Sequence, residues 1–426
     1  MRKREVTLII LMLFSSLFLL SFEKSAYSNE LFSEIDYPED LDTLEEFIQS
    51  YYLLLDSDDY LKQYDFLDAS LNVLENDSTG LQAFYLKLLE LRSGLRDQVI
   101  VYQIGDSHVQ SGYFSGTARS ALQKYFGNAG RGLIFPYKLA KTNQPDDYRI
   151  SSDKTFSRKD SPRSLSGYTL INKKEAKLNI KTNSFFKIDC KFNSALLYAN
   201  REASLEPAKQ IGVKSFARFE TGEYSIHNIG FEERTNNATI VLPKNANEVY
   251  GISLETDEPG LLYHSMGVNG AGFYTLADAI EMFKQAELLK PDLIVVSLGT
   301  NDAQGRFRES VLRKNLESFM NHLEQKLSGV PVLFTLAPDS YKSGKANPDV
   351  AKVGEIIAKY ARQNDHAYWD MYKVMGGKGS IAKWKANNMA AKDHLHFSPK
   401  GYMLQGHLFY QALIKGYKKF SEQRDT

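Results

Sequence analysis

The chain has 426 residues, 43% of them apolar and 24% charged, and its 52 Lys+Arg balance 52 Asp+Glu. Zero formal net charge argues against a nucleic-acid partner or an anionic membrane surface, and the length asks for two domains or one domain with a large insertion. Cys190 is the single cysteine, which excludes an internal disulfide and leaves no lipobox cysteine near the N-terminus.

Met1-Arg2-Lys3-Arg4 is basic, and Thr7 to Phe22 is apolar apart from small hydroxyl residues. That run is short beside the roughly 20 apolar residues a bilayer span needs. Ala26-Tyr27-Ser28 follows with small residues at the −3 and −1 positions of a cleavage site. Residues 1–28 therefore read as a secretory signal peptide cleaved near Ser28. An uncleaved anchor is the alternative, and membrane contact is expected only in that case. Export of a protein without disulfides suits a bacterial periplasm or cell envelope.

Residues 29–96 read as a helical lead-in, with Leu41, Leu44, Phe47, Ile48 and Tyr51 at helix spacing and Leu81, Phe84, Leu86, Leu88, Leu89 and Leu91 following more loosely. From Asp97 the pattern changes. Short β-branched or aromatic runs at 98–104, 292–298, 330–336 and 366–371 read as buried parallel strands. Helices are expected at 273–289, 309–327, 349–363 and 399–417. In 309–327, Leu312, Leu316, Phe319, Leu323 and Leu327 form one apolar stripe. Alternating strands and helices predict an α/β domain built from 97–145 and 260–426.

Residues 146–259 lack helical periodicity. Ala176, Leu178 and Ile180 alternate with polar residues, as do Phe186, Ile188, Cys190 and Phe192. Further apolar runs lie at 195–199, 211–219 and 238–242, separated by turn clusters such as Thr235-Asn236-Asn237. This spacing predicts an antiparallel β-sandwich inserted into the α/β domain.

Four short blocks carry the chemistry: Gly105-Asp106-Ser107-His108, Gly267-Val268-Asn269-Gly270-Ala271-Gly272, Gly299-Thr300-Asn301-Asp302, and Asp393-His394-Leu395-His396. Doubly wound sheets place their sites at the C-terminal strand ends, where three of these blocks fall. Ser107 needs a base to act as a nucleophile, and His396 can take its proton. Asp393 can fix the imidazole tautomer. An oxyanion would be met by the backbone N–H of Ser107, the backbone N–H of Gly270 and the side-chain amide of Asn301. Asp106, Gln110, Asn269 and Asp302 are candidate supports. His108 reads as pocket lining or helix-start packing, and His394 as an exposed loop residue. No His/Cys cluster has zinc spacing and no phosphate or dinucleotide fingerprint is present, so neither metal, cofactor nor nucleotide is expected.

These blocks resemble those of the SGNH (GDSL-like) hydrolases, matching at Ser107, Gly270, Asn301 and His396, with Asp393 as the triad carboxylate. The resemblance implies a flavodoxin-like three-layer α/β/α fold and ester hydrolysis through an acyl-serine. Gly-Asp-Ser-His, Gly-Val-Asn-Gly-Ala and His-Phe-x-x-x-Gly-Tyr are similar to segments of bacterial peptidoglycan O-acetylesterases, which carry an inserted carbohydrate-binding-like sandwich. The sequence departs from the pattern at Asp302, where Glu is expected, and at His394, where Gly is expected. The resemblance thus implies an exported acetylesterase acting on an O-acetylated polysaccharide, with peptidoglycan first. Acetylated xylan, another glycan or a lysolipid is the alternative within esterases. A non-catalytic carbohydrate-binding envelope protein is the alternative outside them.

Overall fold

A computed structural model of the chain describes residues 64–244 and 247–424. The signal segment and the 41–51 helical pattern lie outside the described residues.

Six strands form the central sheet: β1 (Leu74–Glu75), β2 (Gln98–Gly105), β3 (Gly260–Gly267), β4 (Leu293–Ser297), β5 (Val332–Thr335) and β6 (Ala367–Trp369). Their order across the sheet is β1-β6-β5-β4-β2-β3. Strands β2 to β6 run parallel, and β1 pairs antiparallel with β6. Counting the parallel strands alone, this is the flavodoxin-like order 2-1-3-4-5, with its topological switch point between β2 and β4. The parallel strands are buried almost throughout, as strands covered on both faces must be.

The chain steps one way from β2 to β3 and the other way from β4 to β6. Right-handed crossovers then place the intervening helices on opposite faces. Helix α1 (Tyr113–Phe126) packs with α4 (Pro399–Glu422), while α2 (Glu309–Lys326) packs with α3 (Asp349–Gln363). The stripe expected on α2 is the buried one: Leu312, Leu316, Phe319 and Leu323 are all buried. The flavodoxin-like α/β/α expectation is borne out.

The β2-to-β3 crossover carries two antiparallel sheets. The smaller consists of Asn237–Leu242, Ala176–Thr182 and Tyr148–Ser152. In Ala176–Thr182 alternate residues are buried, with Lys177, Asn179 and Lys181 facing out. The larger sheet has seven strands, including Phe192–Asn200, Tyr224–Thr235 and Asn247–Glu255. Ile180 and Ile240 from the smaller sheet share one apolar cluster with Phe192, Phe231 and Leu254 from the larger.

Several local expectations need correction. Phe186 to Cys190 is not a strand, although Phe192 begins one. Lys187 has φ +53 and its N–H closes a turn onto Ser184, so the alternation there comes from a folded loop that buries Phe186. β3 was not among the expected strands. Its buried Leu261, Leu262 and Tyr263 run into His264 and Ser265, whose polarity masks a strand that pairs along all of β2. The lead-in contributes an edge strand as well as helix. The expected 273–289 helix is split into Phe273–Leu276, Ile280–Ala286 and a 3-10 turn.

The strand Gly132–Ile134, placed by sequence before the insertion, pairs with Asn247–Glu255 of the larger inserted sheet. A buried ion cluster holds this junction. Asp147 is fully buried and accepts from Arg119 at 2.8 Å and from Arg131 at 3.0 and 2.9 Å. Burial alone would raise the Asp147 carboxyl, but the two guanidinium charges outweigh it and hold its pKa down to about 2.

Candidate active site

Ser107 opens a short helix, Ser107–Gln110, directly after β2. Asp106 caps that helix, its Oδ1 accepting from the His108 N–H at 2.9 Å. Close packing fixes the turn. A Cβ on Gly267, at the end of β3, would lie 2.3 Å from the Gln110 nitrogen and 2.5 Å from the Asp106 carbonyl oxygen. Glycine therefore lets β3 lie against the serine turn.

His396 comes from the loop before α4. Its Nε2 lies 3.1 Å from Ser107 Oγ, and its Nδ1 lies 2.7 Å from Asp393 Oδ2. The other Asp393 oxygen accepts from the N–H groups of Leu395 and His396 at 2.9 and 3.0 Å. Burial opposes ionisation of Asp393, but the His396 hydrogen bond and charge, with those two N–H groups, hold its carboxyl well below the usual carboxylate range. An ionised Asp393 can only accept, so Nδ1 carries the ring proton and Nε2 is left to accept from the serine hydroxyl.

The expected oxyanion donors come from two further loops. The backbone N–H groups of Ser107 and Gly270 donate to no group among the described residues. Gly270 has φ +74, and open space surrounds the position a Cβ would take. Asn301 lies in the short helix after β4, across the switch point from Ser107. Its Nδ2 donates to Ala271 O at 2.8 Å and, more weakly, to Asp106 Oδ2 at 3.3 Å. The long second bond is the one a developing oxyanion can replace, since catalytic hydrogen bonds often tighten only in the complex.

Residues 242–404 match the GDSL-like Lipase/Acylhydrolase family model. That match holds three of the four blocks, and the geometry adds the fourth, Ser107, which lies outside it. Over those residues the chain is similar to GDSL-like acylhydrolases, and the Ser107, His396 and Asp393 side chains stand as a serine triad suited to ester hydrolysis. A peptidoglycan O-acetylesterase, solved in action, has the same fold: TM-score 0.68 and 20% identity over 83% of this chain and 99% of that one. Partial matches include a lipase/acylhydrolase from Enterococcus faecalis (TM-score 0.29, 21% identity, covering 36% of this chain and 76% of that one). Another is the acetylxylan esterase Axe2 from Geobacillus stearothermophilus (TM-score 0.30, 16% identity, 37% and 73%). No curated protein matches the chain.

The supporting residues of the site take definite places. His108 packs its ring on that of His396, centroids 5.4 Å apart and planes at 27°, and its Nδ1 meets the Tyr402 hydroxyl at 3.1 Å. Burial pushes its pKa down to about 3, so it adds a neutral wall rather than a second charge. Behind it lies a cavity of about 30 Å³ lined in part by His108, Asp106 and Gln405. Gln110 Oε1 accepts from the Asn269 N–H at 2.9 Å, and its Nε2 donates to Thr142 Oγ1 at 2.9 Å, which ties the Gly270 loop to the serine helix. Asp302 Oδ2 accepts from the Phe273 N–H at 3.1 Å, and burial raises its pKa to about 6. The shorter Asp at the expected Glu position therefore caps the helix after the Gly270 loop.

One residue of this site escaped sequence reading and another was read too simply. Tyr274 is 54% exposed and donates its hydroxyl to Gly270 O at 3.0 Å. An aromatic residue four positions beyond Gly270 was the available signal. His394 is not a plain exposed residue: it is half-buried at φ +53, and its ring stacks on Tyr341.

Proposed function

We propose that this esterase is exported and removes O-acetyl groups from a polysaccharide, with cell-wall peptidoglycan as the substrate. The observation that carries the chemistry is the Ser107–His396–Asp393 relay at 3.1 and 2.7 Å. Ser107 Oγ attacks the acetyl carbonyl carbon while its proton passes to His396 Nε2. The oxyanion is met by the N–H of Ser107, the N–H of Gly270 and the amide of Asn301. Collapse breaks the bond to the sugar oxygen, which takes the proton from His396. Water then gives a proton to His396 and attacks the acetyl-serine, releasing acetate and restoring Ser107.

Support for the glycan comes from the fold shared with a peptidoglycan O-acetylesterase over 99% of that protein's length. The similar segments around Ser107, Gly270 and His396 support it as well. Support for export is the basic and apolar N-terminal segment ending in Ala26-Tyr27-Ser28. The test is acetate release from O-acetylated peptidoglycan measured beside acetylated xylan and an octanoyl ester. Preference for peptidoglycan is expected. Faster turnover of xylan or of the octanoyl ester would overturn the substrate, and binding to cell wall with no turnover of any ester would overturn the enzyme. Recovery of the protein from the cytoplasmic fraction with Met1 intact would overturn export.

A further inference from the structure

Between β5 and α3 runs a segment, residues 340–342, that belongs to none of the four sequence blocks. It touches two loops of the site at once. Towards the triad, the Tyr341 N–H donates to the His394 carbonyl at 2.8 Å, and the two rings stack with centroids 4.7 Å apart and planes at 11°. His394 stands between Asp393 and His396 and holds φ +53, a backbone region that glycine enters more cheaply. The ring contact is a reason for a side chain to be kept there.

Towards the amide donor, the segment is bound to the helix Thr300–Gln304 that carries Asn301. Gln304 Nε2 donates to Ser340 Oγ at 3.0 Å and to Tyr341 O at 2.9 Å. Lys342 Nζ donates to Ala303 O at 3.0 Å and to Gly305 O at 2.6 Å. Ser340 is fully buried and its carbonyl accepts from the Asn347 N–H at 2.9 Å, so the segment is anchored at its own base.

We infer that Tyr341 is a positioning residue of the esterase, a strut that registers the Asp393–His396 loop against the helix carrying Asn301. The inference rests on the proposed catalytic roles of those three residues. Tyr341 touches no reacting atom. It acts by removing a freedom: the base and the amide donor sit on separate loops, and the stacked ring and the Gln304 and Lys342 bonds make them one body. Positioning of this kind is where a displacement of about an ångström costs on the order of a hundredfold in rate.

The test uses the full chain, an aryl acetate, and ¹⁵N-histidine NMR of the His396 Nδ1–H proton. Tyr341→Ala is expected to lower kcat roughly ten- to a hundredfold with KM within about twofold, because the acetyl group is still bound but misaligned. Its Nδ1–H signal is expected to be lost to exchange with water. Tyr341→Phe keeps the ring and is expected to recover most of the rate and the signal. Should Tyr341→Ala fail to fold, His394→Gly removes the same contact from the other side at a position whose backbone suits glycine, and the same losses are expected. Wild-type rate and an intact Nδ1–H signal in Tyr341→Ala or His394→Gly would overturn the strut, as would failure of Tyr341→Phe to recover them. A wild-type protein inactive on every ester would sink the esterase reading instead. The Nδ1–H signal would still decide the strut, since it requires no turnover.

Discussion

Ser107 Oγ and His396 Nε2 stand 3.1 Å apart although 289 residues separate them in the chain. That distance allows direct proton transfer, and no other group lies between them in the relay to Asp393. Replacing Ser107 by Ala is therefore expected to cut kcat on an aryl acetate by on the order of 10⁴-fold or more, the scale seen when a serine triad loses its nucleophile. Acetate release from the purified variant checks it. Activity near wild type would take Ser107 out of the mechanism.

Asn301 and Gly270 separate two kinds of loss. Asn301→Ala removes a side-chain donor and is expected to lower kcat by about 10²- to 10³-fold, with KM little changed. Gly270→Ala meets no neighbouring atom, so any effect comes from its φ of +74 rather than from a clash. A destabilisation of about 1 kcal/mol is expected, together with a drop in kcat as the N–H turns away. Steady-state kinetics beside urea unfolding distinguishes the two variants.

The buried cluster of Asp147, Arg119 and Arg131 makes stability fall in acid. The Asp147 pKa is held down to about 2, below its ordinary 3.8. Its contribution is therefore fully present above pH 4 and is lost as pH falls from about 4 through 2. Asp147→Asn leaves two buried guanidinium groups without their counter-charge and is expected to cost about 3–5 kcal/mol at pH 7. Urea unfolding at pH 7, 4 and 3 should show the gap to wild type closing in acid, and an unchanging gap would refute the assignment.

Asp106 predicts the opposite slope. Burial, reinforced by Asp302 and opposed by the His108 N–H and His396, raises its pKa to about 7. A carboxyl raised in the folded state stabilises fully below its unfolded pKa near 3.8, and that contribution is lost as pH rises through about 7. Asp106→Asn does not titrate, so its stability relative to wild type is expected to increase between pH 5 and pH 8. Denaturant midpoints at the two values read this directly.

The sequence alone pointed to the candidate site residues and determined the class of fold. Ser107, Asn301, Asp393 and His396 sit in short blocks beside recognisable strands, and residue type and local spacing are printed in the chain. The period of α2 was legible for the same reason, since burial of one helix face repeats along a continuous segment. Tertiary structure alone decided what depends on distant partners. It turned the alternating residues 186–190 into a folded loop and made a full parallel strand of β3. It sent Gly132–Ile134 into the inserted sheet. It set Tyr341 against His394, a contact no motif announces. Local propensity and periodicity report on neighbours a few residues away. Strand pairing, ring stacking and buried charge depend on groups tens to hundreds of residues apart, which only the packed molecule brings together.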